Sequence, residues 1–131
     1  MFNLFKKDKK KTSKATGVNW SVLTDEATIE KIKEASRQGR VLIFKHSTHC
    51  GISANVLYDL ESAWVTDEME GLTPYYLDLI RYRGVSNQVA QTFGVMHQSP
   101  QVLVIENGKC IYHTSHRAIN YGDLKQLAQA E

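Results

Sequence analysis

The run PQVLVIENGKCIYHT, Pro100 to Thr114, constrains this chain more than any other stretch. Two runs rich in β-branched and apolar residues flank Asn107-Gly108. An Asn-Gly pair between such runs marks a two-residue type I′ turn, which needs φ > 0 at both central positions. The C-terminal third must therefore contain an antiparallel pair, and any fold has to accommodate it. The turn also sets a register. Glu106 faces Lys109, Ile105 faces Cys110, Pro100 faces Ser115 and Ser99 faces His116.

Upstream of the hairpin, strand and helix patterns alternate. Trp20 to Leu23 reads as a short strand. TDEATIEKIKEASRQG follows as a helix that starts at Thr24 with Asp25 and Glu26 in its first turn, turns Ile29, Ile32 and Ala35 inward, and ends at Gly39. VLIFKH is a nearly continuous apolar run, as expected of a central strand covered on both sides. After the loop STHC, GISANVLYDLESAW places Ile52, Val56, Leu60 and Ala63/Trp64 at helical spacing. PYYLDLIRY reads as a strand. SNQVAQTFG reads as a short helix with Ser86 as N-cap and Gly94 as its stop. NYGDLKQLAQA closes the chain as a helix beginning near Asn120 or Tyr121. Trp64, Tyr75, Tyr76, Phe93 and the methionines are assigned to the core or to half-buried surface. Asp78, inside an apolar strand, faces either the site or solvent.

The order β-α-β-α-β-α-β-β-α describes an α/β protein with a central mixed sheet flanked by helices. A parallel βαβ unit followed by a ββα unit is the thioredoxin-like layout. At 131 residues one domain is expected. The formal net charge of +2 conceals an asymmetry. Residues 1–18 hold six lysines and one aspartate, whereas the other 113 residues carry three more acidic than basic groups. The reading is a basic flexible tail over 1–18 and a folded domain over 19–131. Phe2, Leu4 and Phe5 beside the lysines could touch an anionic membrane surface weakly. The basic residues do not continue into the domain, which argues against nucleic acid. No run is long enough for a transmembrane segment or resembles a secretory signal. Two cysteines sixty positions apart form no disulfide framework and point to a reducing, cytoplasmic setting.

Cys50 is the candidate for chemistry. It lies where a central strand ends and a helix begins, the end of an α/β sheet at which ligands bind. A helix N-terminus offers free N–H groups and partial positive charge, which favour a thiolate. His46, Ser47, Thr48 and His49 before it, and Gly51 and Ser53 after it, could tune the thiol or contact substrate. A buried, inert cysteine is one alternative. A metal site with His46 and His49 is another, with His97, His113 and His116 elsewhere in the chain, although adjacent His49 and Cys50 rarely aim at one ion. Pro100 opens a strand, where no ladder donor is needed. A cis bond there would make a tight turn and leave the backbone of Ser99 free to pair with a substrate chain. The hairpin register brings Ser115 and His116 back toward Pro100. Cys110 stands five residues from that end, about 16 Å along the strand, too far to resolve a disulfide on Cys50.

FKHSTHCGIS, YYLDLIRYRGVSNQVAQTFGVMHQSPQ and IENGKCIYHTSH together resemble the monothiol bacilliredoxin, or YtxJ-like, family of thioredoxin-fold proteins over about residues 19–130. In that family the cysteine motif is typically Thr-Cys-Pro-Ile-Ser. Here His49 and Gly51 replace the threonine and the proline, while Cys50 and the Ile52-Ser53 pair stand. The resemblance implies a bacterial monothiol thiol-disulfide oxidoreductase with Cys50 as redox cysteine and Pro100 as cis-proline. No bound cofactor is implied; a low-molecular-weight thiol of the bacillithiol type serves as co-substrate, and S-thiolated proteins are the clients. Ser53 holds the place of a dithiol protein's resolving cysteine, so release must come from a second, external thiol. Ser53 could donate to the thiolate, Ser99, Pro100 and His116 could line the substrate groove, and Lys45 or His46 could meet the small thiol's carboxylates. A non-catalytic binding or adaptor module, or a Cys/His metal-binding protein, is the competing function.

Overall fold

The computed structural model describes residues 17–131; the basic run up to residue 16, with Phe2, Leu4 and Phe5, lies outside the described residues. Along the chain come β1 (Ser21–Val22), α1 (Glu26–Ala35), β2 (Arg40–His46), α2 (Gly51–Ala63), a 3-10 turn (Thr66–Met69), β3 (Leu72–Asp78), α3 (Arg83–Phe93), β4 (Gln101–Glu106), β5 (Lys109–Ser115), a second 3-10 turn (His116–Ala118) and α4 (Tyr121–Gln129). The strands form one mixed sheet in the order β1-β3-β2-β4-β5. β1, β3 and β2 run parallel, and β4 and β5 are antiparallel to their neighbours. This is the thioredoxin-like layout read from the sequence. Packing takes in the last two residues of the expected tail, since Gly17 is buried and Val18, 6% exposed, belongs to the core.

β2 is central, and its alternation divides the core. Leu42 and Phe44 join Val102 and Val104 of β4 beneath Val56 and Leu60 of α2 and Leu124 of α4. Val41 and Ile43 join Leu103 and Ile105 beneath Ile29 and Ile32 of α1 and Val85 and Val89 of α3. Each of these side chains contributes roughly 1.5–3 kcal/mol by leaving water, so a strand between two helix layers is apolar throughout.

Several local expectations shift. Asp25, not Thr24, caps α1: its Oδ1 accepts from Thr28 N (2.9 Å) and Thr28 Oγ1 (2.7 Å). The helix stops at Ala35, which is exposed, and Ser36 turns inward instead. Ser36 O accepts from Asn107 N (2.9 Å) and Ser36 Oγ from Gly108 N (2.8 Å), tying the hairpin turn to α1. β3 ends at Asp78 rather than running to Tyr82. Its neighbour β2 ends opposite, with His46 paired to Asp78, so the ladder has no further partner. Asp78 Oδ1 then accepts from Ile80 N and Arg81 N, both at 3.1 Å, and turns the chain into α3. α3 starts at Arg83, which leaves Ser86 buried inside it rather than at its cap. Gly94 does stop it, in the left-handed conformation (φ 67°). Among the methionines, Met96 is 81% exposed, not core.

The hairpin turn has positive φ at both Asn107 (52°) and Gly108 (77°), as type I′ requires. Its register holds for Glu106–Lys109 and Ile105–Cys110, then slips: Val104 pairs with Tyr112 and Gln101 with Ser115. Ile111 is the extra residue of a bulge. Cys110 packs toward the α1/α3 side and Tyr112, two residues on, toward the α2/α4 side. The slip brings His116, not Ser115, opposite Pro100.

Candidate functional site

Three chain segments meet at one end of the sheet. Lys45 pairs with Gln101 and Gln101 with Ser115, so the end of β2, the start of β4 and the end of β5 lie side by side. The Ser99–Pro100 bond is cis. Pro100 O accepts from His116 N (3.0 Å), with His116 at φ 56° and its Nδ1 3.1 Å from Ser115 Oγ. Pro100 is buried, Ser99 half-buried and His116 exposed.

Cys50 is the N-cap of α2, in extended conformation (φ −122°, ψ 122°), half-buried and free of any disulfide. Its N–H donates to Ser47 O (3.2 Å) and its O accepts from Ala54 N (3.1 Å). Ala54 supplies the first donor of the helical ladder, so the N–H groups of Gly51, Ile52 and Ser53 have no helical acceptor. The first turn carries no acidic side chain. A negative charge on Sγ therefore meets the positive end of the helix with no opposing carboxylate in that turn. Thr48, His49, Gly51 and Ile52 are exposed around the thiol, and Ile52 is 37% exposed rather than part of the inward face.

Ser53 takes that inward place and is 0% exposed. Its Oγ accepts from Ser47 N (3.0 Å) and lies 2.7 Å from His46 Nδ1. Burial holds the His46 pKa below its usual value, against the opposing pull of Asp78 and Glu61. A neutral ring with its proton on Nε2 accepts on Nδ1, and Ser53 Oγ then accepts from Ser47 N and donates to His46. In that tautomer a relay, Ser47 N–H to Ser53 to His46, takes the Ser53 O–H and fixes the loop under Cys50. His46 stacks within 5.8 Å of Tyr76 and 6.3 Å of Phe44 by ring centroids. Lys45 points to the other face of the sheet and is 0% exposed. Neither Lys45 nor His46 is presented to the carboxylates of a small thiol.

Sequence reasoning missed the partner of Lys45. Its Nζ donates to Ser86 O (3.2 Å) and to His97 Nδ1 (3.3 Å). The available signal was a lysine inside an otherwise apolar strand run. Asp78 serves as the turn cap described above. Cys110 donates its S–H to Tyr112 O (3.3 Å), and burial pushes its thiol pKa up, which suits an inert thiol. No cluster of three or more His, Cys, Asp or Glu able to hold a metal occurs among the described residues. None of their helices is long and apolar enough to cross a membrane.

Residues 21–124 match the sequence model of a family described as monothiol bacilliredoxin BrxC. A solved structure described as a candidate oxidoreductase with a thioredoxin fold is 28% identical, with a TM-score of 0.70, and the match covers 88% of this chain and 96% of that one. Thioredoxin from Malassezia sympodialis is 14% identical with a TM-score of 0.68, covering 85% of this chain and 92% of that one. Thioredoxin from Fasciola hepatica is 18% identical with a TM-score of 0.62, covering 80% and 92%.

Proposed function

The chain belongs to the monothiol bacilliredoxin BrxC family, and on that footing we propose that it reduces mixed disulfides between protein cysteines and a low-molecular-weight thiol of the bacillithiol type. Family and fold together make it a thiol oxidoreductase. The observation that carries the finer reading is the half-buried Cys50 capping α2, with Ser53 at the third helical position already bonded to Ser47 and His46.

The Cys50 thiolate attacks the small thiol's sulfur in the mixed disulfide. The new S–S bond joins Cys50 to the small thiol, the old one breaks, and the client cysteine leaves as a thiolate that takes a proton from water. A second small-thiol thiolate then attacks the sulfur attached to Cys50. It forms the symmetric small-thiol disulfide and returns Cys50 as thiolate, so in sum the mixed disulfide and one free small thiol become the reduced client and the small-thiol disulfide. The free N–H groups at the start of α2 stabilise the thiolate both as nucleophile and as leaving group. Ser99 offers backbone to an extended client chain, and His116 borders it through its bond to Pro100 O. The two free cysteines suit a reducing, cytoplasmic compartment.

Mass spectrometry of a client protein carrying a bacillithiol adduct provides the test. The client is expected to lose the adduct while a single one appears on the chain, and Cys50→Ser removes both changes. Binding of the client with the adduct retained would leave the adaptor function instead. Failure of Cys50 to alkylate with iodoacetamide at pH 7 would sink the redox reading.

A further inference from the structure

Lys45 is a buried cation that the exchange chemistry does not use. It is 0% exposed on the α1/α3 side of the sheet, and no carboxylate of the described residues lies within 4.0 Å of its Nζ. The charged or titratable groups bearing on the pair are His97, in the loop between Gly94 and Pro100, and Arg83 of α3, whose charge acts on His97. A buried charge without a counter-ion weakens a fold, and an apolar side chain of similar length would do better there. What the ammonium does hold is specific. It joins Ser86 O of α3 to the imidazole of His97. Gln101, beside it on β4, donates from Nε2 to Met96 O (3.0 Å). Two adjacent sheet side chains thus support the segment that leads into Ser99–Pro100.

We propose that Lys45 is a positioning residue: through His97 it holds the proline loop at the height at which a client's backbone can pair with Ser99. This rests on the redox reading for its kinetic consequence but not for its structural one. An ammonium has no lone pair, so His97 Nδ1 must accept, and the tether requires neutral His97 beside charged Lys45. Burial, Lys45 and Arg83 keep the His97 pKa below its usual value, and burial lowers that of Lys45 to about 8. The His97 shift favours that state; the Lys45 shift works against it but still leaves the ammonium charged below about pH 8.

The test compares wild type with Lys45→Met in the full chain. At pH 7 the variant is expected to be at least as stable thermally. The gap narrows between about pH 8 and 10.5, where the folded protein gains by releasing a proton that the unfolded chain still holds. Amide exchange over residues 94–99 is expected to quicken, by about tenfold if one charge-assisted bond is lost. The KM for a thiolated protein client rises by a similar factor while the pH profile of Cys50 alkylation stays in place. His97→Leu reproduces the exchange and KM effects even if Lys45→Met fails to fold, and His97→Asn, which keeps an acceptor, restores them. Unchanged exchange over 94–99 in Lys45→Met and His97→Leu would overturn the proposal, as would a KM effect that travels with a shift in Cys50 alkylation. A wild type that exchanges as expected yet never de-thiolates a client would instead overturn the redox function alone.

Discussion

His46 and Lys45 are neighbours on one strand, yet they face opposite layers and meet opposite fates. On the α2 side, His46, Ser53 and Ser47 form a matched set in which every hydrogen bond has a donor and an acceptor. On the α3 side, an ammonium sits among a carbonyl and an imidazole with no counter-ion among the described residues. Ser86 Oγ, Ser99 Oγ and Gln101 Oε1, in or next to that cluster, are buried without a hydrogen-bond partner. A matched network stabilises and fixes one geometry. An unmatched one is tolerated where it holds something that a stable core would not. The same strand end thus carries a rigid base for Cys50 and a less stable support for the proline loop.

Breaking the matched side should have the larger effect on stability. Ser53→Ala leaves His46 Nδ1 and Ser47 N–H buried without their shared partner, and is expected to destabilise the fold by about 1–3 kcal/mol. Chemical denaturation measures it. A change near zero would mean that the relay is ornamental and that the contrast with Lys45, where truncation to Met stabilises or is neutral, does not exist.

Acid titration sharpens the comparison. Burial is the leading cause of the lowered pKa of both His46 and His97. Below pH about 6.5 the unfolded chain takes up protons that the folded one refuses, so stability falls with pH until the folded histidines also protonate. Each histidine adds at most about 1.4 kcal/mol per pH unit. Thermal unfolding between pH 7 and pH 5 should show a shallower slope in His46→Asn and in His97→Asn. A variant slope equal to wild type at either site would show that its burial does not control its protonation.

The smallest expected effect lies at Gly51, the first residue of α2. It is exposed, a Cβ there would meet nothing within 4 Å, and Cys50 before it is extended. Proline fits the first helical position, where the N–H has no helical acceptor, and an extended residue before it is what proline requires. Gly51→Pro is expected to stabilise by about 0.4–1 kcal/mol by restricting the unfolded chain. Loss of stability would mean that the Cys50 loop needs the freedom of glycine.

Much of the architecture was legible because it is local. The Asn107-Gly108 turn, the apolar β2 and the left-handed Gly94 stop each follow from a few adjacent residues. The start of α3 was not, because Leu79 to Tyr82 continue an apolar strand pattern, and only the end of β2 opposite Asp78 halts the ladder. The one-residue slip at Ile111 was equally hidden, and it alone exchanges Ser115 for His116 beside Pro100.

By itself, the sequence determined that a single cysteine stands between a central strand and a helix, with a serine three residues on and no second cysteine within reach. Short-range geometry dictates that much. The tertiary structure decided where the polar groups beneath it point. Ser53 meets His46 and Ser47 N, and Lys45 reaches His97 across 52 positions of chain. Those choices depend on which helices cover each face of the sheet, and burial forces each polar atom toward whatever partner the packing leaves within reach.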